Sequence, residues 1–279
     1  MAKKILKKSS IGVFDSGFGG LEILREIVKE SPQYDYIYLG DTARAPYGNR
    51  SQEQIYDFTK QAVDFLFNRD CYLIILACNT ASSEALRKIQ REYLPKYYPE
   101  RRVLGVIIPA VESATEITKN NRVGVMATNS AVDSNAFEKE LKKINSQIQV
   151  FQQSCPLLVP IVEEGKQDSV STKTILKNYL ESLVKKNIDT LILGCTHYGF
   201  LENQIKEIIG NKIRIVSEGK IIAEKLKDYL TRHSEIKNIL AKNSKIEFLT
   251  TDLSDKFKDI GTKFFGRPIN PKKISLQWF

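Results

Sequence analysis

The chain has 279 residues, of which 42% are hydrophobic and 27% are charged, and its net charge at pH 7 is +9. This length is sufficient for two compact lobes. No stretch approaches the roughly 18 apolar residues of a membrane span, and no signal-type region is present at the N-terminus, which predicts a cytoplasmic protein. The charge comes mainly from lysines spread along helical stretches, without an arginine–aromatic cluster, so it indicates a solvated surface with only weak, non-specific attraction to polyanions.

Short apolar runs alternate with amphipathic stretches of helical length, which predicts an α/β fold of mostly parallel sheets flanked by helices. The predicted strands are, in chain order, Ile11–Phe14, Tyr36–Leu39, Leu73–Ala77, Val103–Ile107, Arg122–Met126, Ile148–Phe151, Thr190–Leu193 and Ile213–Val216. The predicted helices are Leu21–Lys29, Gln52–Phe67, Ser82–Tyr93, Val111–Thr118, Ser134–Ile144, Thr172–Lys185, Leu201–Ile209 and Lys220–Tyr229. No low-complexity linker is present, so we expect short connections between one lobe of residues 1–105 plus 217–279 and a second of 106–216.

Polar loops follow four of the predicted strands. The first strand leads into Asp15–Gly20, and the second leads into Gly40–Thr42 and then Pro46–Gly48. The segments Cys78–Thr80 and Cys195–His197 follow the third and seventh strands. Because ligands of open parallel sheets bind beyond the carboxyl ends of the strands, these loops predict one shared binding crevice.

The glycine-rich loop after the first strand does not match the nucleotide-binding fingerprints. A dinucleotide-binding loop requires a glycine at position 22, where this chain has Glu22, and no P-loop motif occurs. The glycines instead predict a tight strand-to-helix turn. Such a turn brings Asp15, Ser16 and backbone N–H groups to a place where a carboxylate can bind.

Two of the four cysteines are candidates for proton transfer. None of the cysteine pairs has CxxC spacing, so a disulfide scaffold is not indicated, and Cys71 and Cys155 are expected to be buried as small hydrophobes. Cys78 and Cys195 each follow a strand in a different half of the chain. Two opposed thiols can remove a proton from one face of a carbon and return one to the other face without a cofactor. A free thiol has a pKa of about 8.5, and we expect the N-termini of the following helices to favour the thiolates.

Each of these cysteines has a candidate proton partner. His197 lies two residues after Cys195, and Asp15 ends the first strand, from which it can approach Cys78. Cysteine, histidine and aspartate are also zinc ligands, so a zinc site built from these four residues is an alternative. It is the weaker interpretation, because no two of them have the local spacing of a zinc motif.

Five motifs, in order along nearly the whole chain, resemble those of glutamate racemases. They are Phe14–Leu21, Gly40–Asn49, Ala77–Ser82, Cys155–Gly165 and Leu193–Tyr198, and the C-terminal segments Thr250–Asp252 and Phe264–Gly266 are similar as well. The resemblance implies two pseudo-symmetric lobes with the active site in the cleft between them. It also implies interconversion of L- and D-glutamate without pyridoxal phosphate or metal, which supplies D-glutamate for peptidoglycan, and a homodimer is a further expectation.

The resemblance also implies roles for individual residues. Cys78 takes the α-proton of D-glutamate with the help of Asp15, and Cys195 takes that of L-glutamate with the help of His197. Glu163 is a further candidate for proton handling, although a solvated carboxylate at a helix end remains an open alternative. The implied substrate-binding residues are Asp15, Ser16, Pro46, Tyr47, Gly48, Asn79, Thr80, Thr196 and His197. Asn79 and Thr80 are also of the types that cap helices, and one residue can do both.

Two positions depart from the family pattern. The loop after Met126 lacks the usual Gly-Thr sequence followed by tyrosine, which puts a substrate hydrogen bond from that loop in doubt. Ile108 stands where an acidic residue often precedes the proline, which bears on structure or regulation rather than on the catalytic set.

Two other functions stay open at this point. The first is a related two-cysteine racemase that acts on aspartate or a hydantoin, and the second is a non-catalytic binding protein that uses the positive charge. His197 favours glutamate as the substrate, because relatives that act on aspartate commonly carry a Glu residue at this position. The intact pair of cysteines is difficult to explain in a non-catalytic protein.

Overall fold

Two parallel sheets organise the computed structural model, which describes residues 8–276 apart from the side chains of residues 255 and 256. The strands in this part of the chain are β1 (Ser10–Asp15), β2 (Tyr36–Gly40), β3 (Cys71–Leu76), β4 (Arg102–Gly105), β5 (Arg122–Ala127), β6 (Gln149–Ser154), β7 (Thr190–Gly194), β8 (Arg214–Val216), β9 (Ile246–Thr250) and β10 (Pro271–Lys273). The first sheet has the order β10-β9-β2-β1-β3-β4, and the second has the order β6-β5-β7-β8.

Helices flank both sheets. The α-helices are α1 (Gly20–Glu30), α2 (Gln52–Asn68), α3 (Asn79–Glu84), α4 (Leu86–Lys88), α5 (Leu94–Tyr97), α6 (Ile107–Ile117), α7 (Asn129–Asp133), α8 (Ala136–Ile144), α9 (Leu158–Glu163), α10 (Val170–Val184), α11 (Glu202–Ile209), α12 (Glu218–Arg232), α13 (Ser234–Lys237) and α14 (Asp255–Phe265). Short 3₁₀ helices span Thr42–Arg44, Tyr47–Asn49 and Tyr198–Leu201. None of the helices described is both long and apolar enough to cross a membrane.

Helices cover both faces of the central strands, and these strands accordingly consist mainly of apolar residues on both sides. Every residue of β2 and β7 is buried, as is every residue of β1 after the first. This is the burial that a parallel sheet covered on both faces requires. On the neighbouring helix α1, Leu21, Leu24 and Ile27 are buried at helical spacing, and the helix packs against α12 and α14.

The strand register brings the ends of the central strands to one level. In the first sheet, Phe14 pairs with Leu39 of β2 and with Leu76 of β3. In the second sheet, Ala127 pairs with Gly194. The loops after β1, β2 and β3 therefore leave the first sheet at one edge, and the loops after β5 and β7 leave the second sheet in the same way.

All eight predicted strands overlap an observed strand, and the largest difference in their bounds is at the end of β4. Strand β4 ends at Gly105 and α6 begins at Ile107, whereas the sequence predicted a strand to Ile107 and a helix only from Val111. Pro109 is the third residue of α6. The N–H groups of the first turn of a helix have no acceptor within the helix, so a proline, which lacks an N–H, is tolerated there.

The predicted helix Ser82–Tyr93 is instead a series of shorter helices. It begins at Asn79, is interrupted at Ala85, passes through a π-helical turn at Ile89–Tyr93 and ends as α5. Pro95 lies in the first turn of α5 and has no N–H to offer the carbonyl group of Arg91. The α-helical hydrogen-bond pattern therefore shifts at this point.

The C-terminal part of the chain contains elements that the sequence did not predict. Strand β9 pairs with β2, and β10 pairs with β9, so both complete the first sheet. Helix α14 lies between them in sequence and packs on α1. Strands β9 and β10 therefore belong to the same sheet as β1.

Candidate active site

A cavity of about 100 Å³ lies where the ends of the two sheets face each other. Loops of the first sheet contribute Ser16 and Cys78 to its walls, and loops of the second sheet contribute Thr128 and Cys195. The sequence-predicted residues that line it are Ser16, Pro46, Tyr47, Gly48, Cys78, Asn79, Thr80, Glu163, Cys195, Thr196 and His197. Asp15 is the one predicted site residue outside the lining, and it is buried beside Ser16.

Cys78 caps the N-terminus of α3 and is 6% exposed. Its Sγ atom lies 3.3 Å from Oγ of Ser16. Burial raises the pKa of the Cys78 thiol to about 11, and the charge of Asp15 acts in the same direction. The hydroxyl of Ser16 and the backbone N–H of Ala81 lower the pKa, but burial outweighs them. The N-terminus of α3 does favour the thiolate, through the N–H of Ala81, but burial has the larger and opposite effect.

Cys195 lies in the second sheet's loop and is 8% exposed. A turn and a 3₁₀ helix follow it, rather than the α-helix N-terminus that the sequence predicted. Burial raises the pKa of its thiol well above the usual value, and the charges of Cys78 and Asp15 add to this effect. The two thiols therefore share one electrostatic environment, in which both are protonated at neutral pH.

His197 connects Cys195 with Glu163. Its Nδ1 atom lies 3.9 Å from Sγ of Cys195, and its Nε2 atom lies 3.1 Å from Oε1 of Glu163, at the end of α9. The imidazole is buried, and its ring packs edge-on against Phe264. Glu163 is therefore a partner of the histidine and not only a solvated carboxylate at a helix end.

Asp15 is a buried carboxylate at the end of β1. Its Oδ2 atom accepts a 2.8 Å hydrogen bond from the backbone N–H of Gly17. Burial raises the pKa of Asp15, whereas the charge of His197 and the N–H groups of Gly17 and Gly20 lower it. A Cβ atom at Gly20 would lie 2.6 Å from Cβ of Asp15, so only glycine allows this close approach of α1. Asp15 thus interacts electrostatically with both Cys78 and His197.

The loop that carries Tyr47 is held by a buried acid that the sequence analysis did not single out. Asp41 is fully buried, and its Oδ2 atom accepts hydrogen bonds from the Tyr47 hydroxyl at 2.5 Å and from Nε of Arg44 at 2.6 Å. Its Oδ1 atom accepts one from Thr251, after β9, at 2.9 Å. Because its hydroxyl is bound to Asp41, Tyr47 presents its ring and backbone to the cavity.

Direct contacts join the two lobes around the cavity. The hydroxyl groups of Thr80 and Thr128 lie 2.9 Å apart, and the Ser130 hydroxyl donates to the carbonyl of Gly48 at 3.0 Å. A Cβ atom at Gly19 would lie 2.1 Å from Oγ1 of Thr196. The loop after β5, which departs from the family pattern, therefore contributes Thr128 to the cavity wall, a residue that the sequence analysis did not assign.

The geometry gives no support to the alternative of a zinc site. Among residues 8–276, no group of three His, Cys, Asp or Glu side chains is arranged so that it could hold a metal ion. Of the four candidates, Cys195 lies beside His197, whereas the nearest polar partner of the Cys78 thiol is the hydroxyl of Ser16.

Comparison with known proteins gives consistent similarities over nearly the whole chain. The model of the Asp/Glu/Hydantoin racemase family matches residues 11–226. A glutamate racemase of Sulfurihydrogenibium sp. is 41% identical over 95% of this chain and 97% of its own length. One of Bacillus cereus is 39% identical over 96% of this chain and 97% of its own length.

Solved structures show the same similarity. The glutamate racemase isoform RacE1 from Bacillus anthracis superposes with a TM-score of 0.88 at 35% identity, covering 97% of this chain and 98% of its own. The enzyme from Francisella tularensis, solved in complex with D-glutamate, has a TM-score of 0.87 at 33% identity, covering 96% and 98% of the two chains. An aspartate racemase from Picrophilus torridus shares only the fold, with a TM-score of 0.52 at 16% identity and coverage of 80% and 94%.

Proposed function

The chain belongs to the Asp/Glu/Hydantoin racemase family, and we propose that it interconverts L- and D-glutamate by proton transfer between the substrate and two cysteine thiols. It is an isomerase, an amino-acid racemase of the glutamate type. The observation that carries the mechanism is the placement of Cys78 and Cys195, from different sheets, in the wall of one cavity.

The reaction needs no oxidant or reductant, and each turnover exchanges the protonation states of the two thiols, which proton exchange with solvent restores. The Cys195 thiolate takes the α-proton of L-glutamate, and the Cys78 thiol donates a proton to the opposite face of the carbanion, so the bond to the first proton breaks and a bond to the second forms. The reverse reaction begins with the Cys78 thiolate and D-glutamate. Burial makes each thiolate scarce, since it raises both pKa values, but it also makes the thiolate a stronger base toward a weak carbon acid.

The neighbours of the thiols have separate tasks in this proposal. His197 accepts the proton of Cys195 through Nδ1 while Glu163 holds its Nε2 atom. Asp15 lies on the Cys78 side and couples electrostatically to both this thiol and His197. The second lobe therefore supplies a complete thiol–imidazole–carboxylate series, whereas the first supplies a thiol with a buried acid.

The polar residues around the thiols are proposed to hold the substrate. Ser16, Asn79, Thr80 and Thr196 bring hydroxyl and amide groups to the cavity, and the backbone of Pro46–Gly48 forms another wall. Donors fixed in a water-poor cavity stabilise the negative charge that develops at the α-carboxylate when the proton leaves. The two carboxylates of glutamate are then bound by neutral donors, and the α-carbon lies between the two thiols.

Four further proposals concern the whole protein. We place the lobe boundaries at residues 1–105 plus 217–279 and 106–216, which is supported by the division of the strands between two sheets. The D-glutamate that it forms serves peptidoglycan synthesis. A cytoplasmic location and a homodimer complete the proposal.

The mechanism is tested by isotope exchange. The purified protein is incubated in deuterium oxide with L-glutamate and, separately, with L-aspartate, without added cofactor, and both optical rotation and α-proton exchange are measured. We expect racemisation and deuterium incorporation with glutamate. Absence of exchange with both amino acids, or a strict requirement for pyridoxal phosphate, contradicts the two-thiol mechanism, whereas faster exchange with aspartate reassigns the substrate.

The two cysteines are tested by substitution. Cys78→Ser and Cys195→Ser each remove one acid or base, so the racemisation rate should fall by at least about 100-fold. L- and D-glutamate have equal free energies, and kcat/KM must therefore fall equally in both directions. Cys71→Ala is the matched control, because Cys71 is also a buried thiol with a raised pKa but does not line the cavity. Turnover near that of the wild type in either serine variant refutes the role of that cysteine.

A further inference from the structure

Glu218 is a buried acid that the proposed mechanism does not use. It is the first residue of α12, where the chain leaves β8 of the second sheet for the helix that packs on α1 of the first lobe, and it is 5% exposed. Its Oε2 atom accepts a 2.8 Å hydrogen bond from Nδ2 of Asn79. Asn79 follows Cys78 directly and lines the cavity. A carboxyl group outside the cavity therefore holds a side chain that forms part of its wall.

The surroundings of Glu218 disfavour its negative charge. Burial is the largest influence that raises the pKa of Glu218, and the acids Glu22 of α1 and Asp15 of β1 add to it, whereas the hydrogen bond from Asn79 lowers it. Glu22 itself pairs with Arg25 at 3.1 Å. The pKa of Glu218 is therefore raised, and its geometry toward Asn79 is that of a hydrogen-bond acceptor.

Three buried oxygen atoms at this place have no partner within the part of the chain that the structure describes. They are Oδ1 of Asn79, Oε1 of Glu218 and Oδ1 of Asp15. A buried polar atom without a partner is unfavourable, and such atoms occur where a ligand supplies the missing hydrogen bond. Nδ2 of Asn79 donates one of its two N–H groups to Glu218, and the amide oxygen is the acceptor of this side chain that still lacks a donor.

We propose that Glu218 is a positioning residue that holds the Asn79 amide so that its Oδ1 atom accepts a hydrogen bond from the α-ammonium group of the substrate. This inference rests on the proposed racemase function. Without Glu218 the amide can rotate by a half-turn and present its NH₂ group to the ammonium group, where a donor faces a donor. Both enantiomers carry the same ammonium group, so the loss affects the binding of both.

The test compares three variants of the full-length protein in steady-state kinetics with L- and D-glutamate. Glu218→Ala removes the acceptor and should raise KM for both enantiomers about tenfold with little change in kcat, which corresponds to about 1.4 kcal/mol of binding. Glu218→Gln keeps a carbonyl acceptor of the same shape and should restore KM to within about twofold. Glu224→Ala, an exposed glutamate on the same helix, should behave as the wild type.

A double-mutant cycle with Asn79→Ala separates positioning from a general effect on structure. If Glu218 acts through Asn79, Glu218→Ala has no further effect on KM in the Asn79→Ala background. Glu218→Met fills the space without an acceptor and replaces the alanine variant if the latter does not fold. Unchanged KM in these variants, additive effects in the cycle, or a glutamine variant as impaired as the alanine variant overturns the proposal. An inactive wild type contradicts the racemase function itself, so the two failures are distinguishable.

Discussion

Glu163 Oε1 lies 3.1 Å from His197 Nε2, and the opposite ring nitrogen faces Sγ of Cys195 at 3.9 Å. In the tautomer with its proton on Nε2, the imidazole donates a hydrogen bond to the carboxylate, and Nδ1 is the acceptor that faces the thiol. A carboxylate that orients a catalytic histidine in this way selects its tautomer. Cys195 therefore has a base within reach that the folded chain has already oriented.

Substitution of Glu163 tests this arrangement. In Glu163→Ala the imidazole loses the partner that selects its tautomer, so we expect kcat to fall on the order of tenfold in both directions, with a smaller change in KM. Steady-state kinetics from both enantiomers measure the effect. Glu164→Ala, which changes the next and exposed residue, is expected to keep kcat. Equal kcat values for the two variants would show that Glu163 is only a solvated carboxylate at a helix end.

The raised thiol pKa values predict how activity depends on pH. The base for D-glutamate is the Cys78 thiolate, and its thiol has a pKa of about 11. The thiolate fraction therefore grows about tenfold per pH unit between about pH 7 and pH 9, since this range lies below the pKa. We expect kcat/KM for D-glutamate to rise with pH over this range, measured at constant ionic strength. A flat profile in Cys71→Ala and the wild type alike would show that the thiolate has already formed below neutral pH.

The close contact between Gly19 and Thr196 leaves no room for a side chain at position 19. A Cβ atom at Gly19 would lie 2.1 Å from Oγ1 of Thr196 and 2.8 Å from Nδ1 of His197. The backbone of Gly19 has φ −57° and ψ −37°, which alanine adopts without strain, so the fold should persist. We expect Gly19→Ala to lower kcat/KM at least about tenfold, because displaced groups near the reacting carbon lose their alignment. A Cβ atom at Gly199 would meet only Oγ of Ser217, at 3.5 Å, so Gly199→Ala is the control. Equal kcat/KM in both variants would contradict this steric effect.

Glu22 predicts a pH-dependent loss of stability. Burial raises its pKa from 4.5 to about 7, so the folded state binds more protons than the unfolded state between these values. Protonated Glu22 therefore stabilises the folded state below about pH 4.5. This contribution to the free energy of unfolding falls by about 3 kcal/mol at most as the pH rises through 7. Glu22→Gln should therefore increase stability at about pH 8 and leave it nearly unchanged at about pH 4.5.

Denaturant unfolding at both pH values measures this difference, with Glu26→Gln as the control on the same helix. Hydrogen bonds from Lys29 and Arg25 oppose burial and lower the pKa of Glu26, so its stabilising contribution is present above the unfolded value and is lost in acid. Glu26→Gln is expected to reduce stability at the higher pH. The same sign for both variants would show that the pH dependence arises elsewhere.

The sequence predicted the parts of the site that depend on local pattern. Cys78 and Cys195 were recognisable because each follows an apolar strand, and parallel strands bring such ends to one crevice. Glu218 was not assigned a role, because its partner Asn79 lies far along the chain, and the contact of Asp41 with Thr251 is equally distant in sequence. No local spacing indicates such a contact.

The missed elements of the fold have a similar explanation. Strand β10 has only three residues and begins with Pro271, so it carries no periodic pattern. Strand β9 contains Glu247, and it is a strand because it pairs with β2. The raised pKa values of the two thiols were not predicted, because a helix N-terminus is visible in a sequence, whereas the degree of burial is decided by the packing of both lobes.

The burial of the two thiols also bears on the chemical durability of the enzyme. Peroxides and alkylating agents attack thiolates that they can reach, and Cys78 and Cys195 are both shielded and protonated at neutral pH. A surface cysteine with a low pKa is consumed by such reagents even when it is idle. In this protein, the reactive form arises in a buried cavity, so we expect oxidants to consume the pair more slowly than an exposed catalytic cysteine.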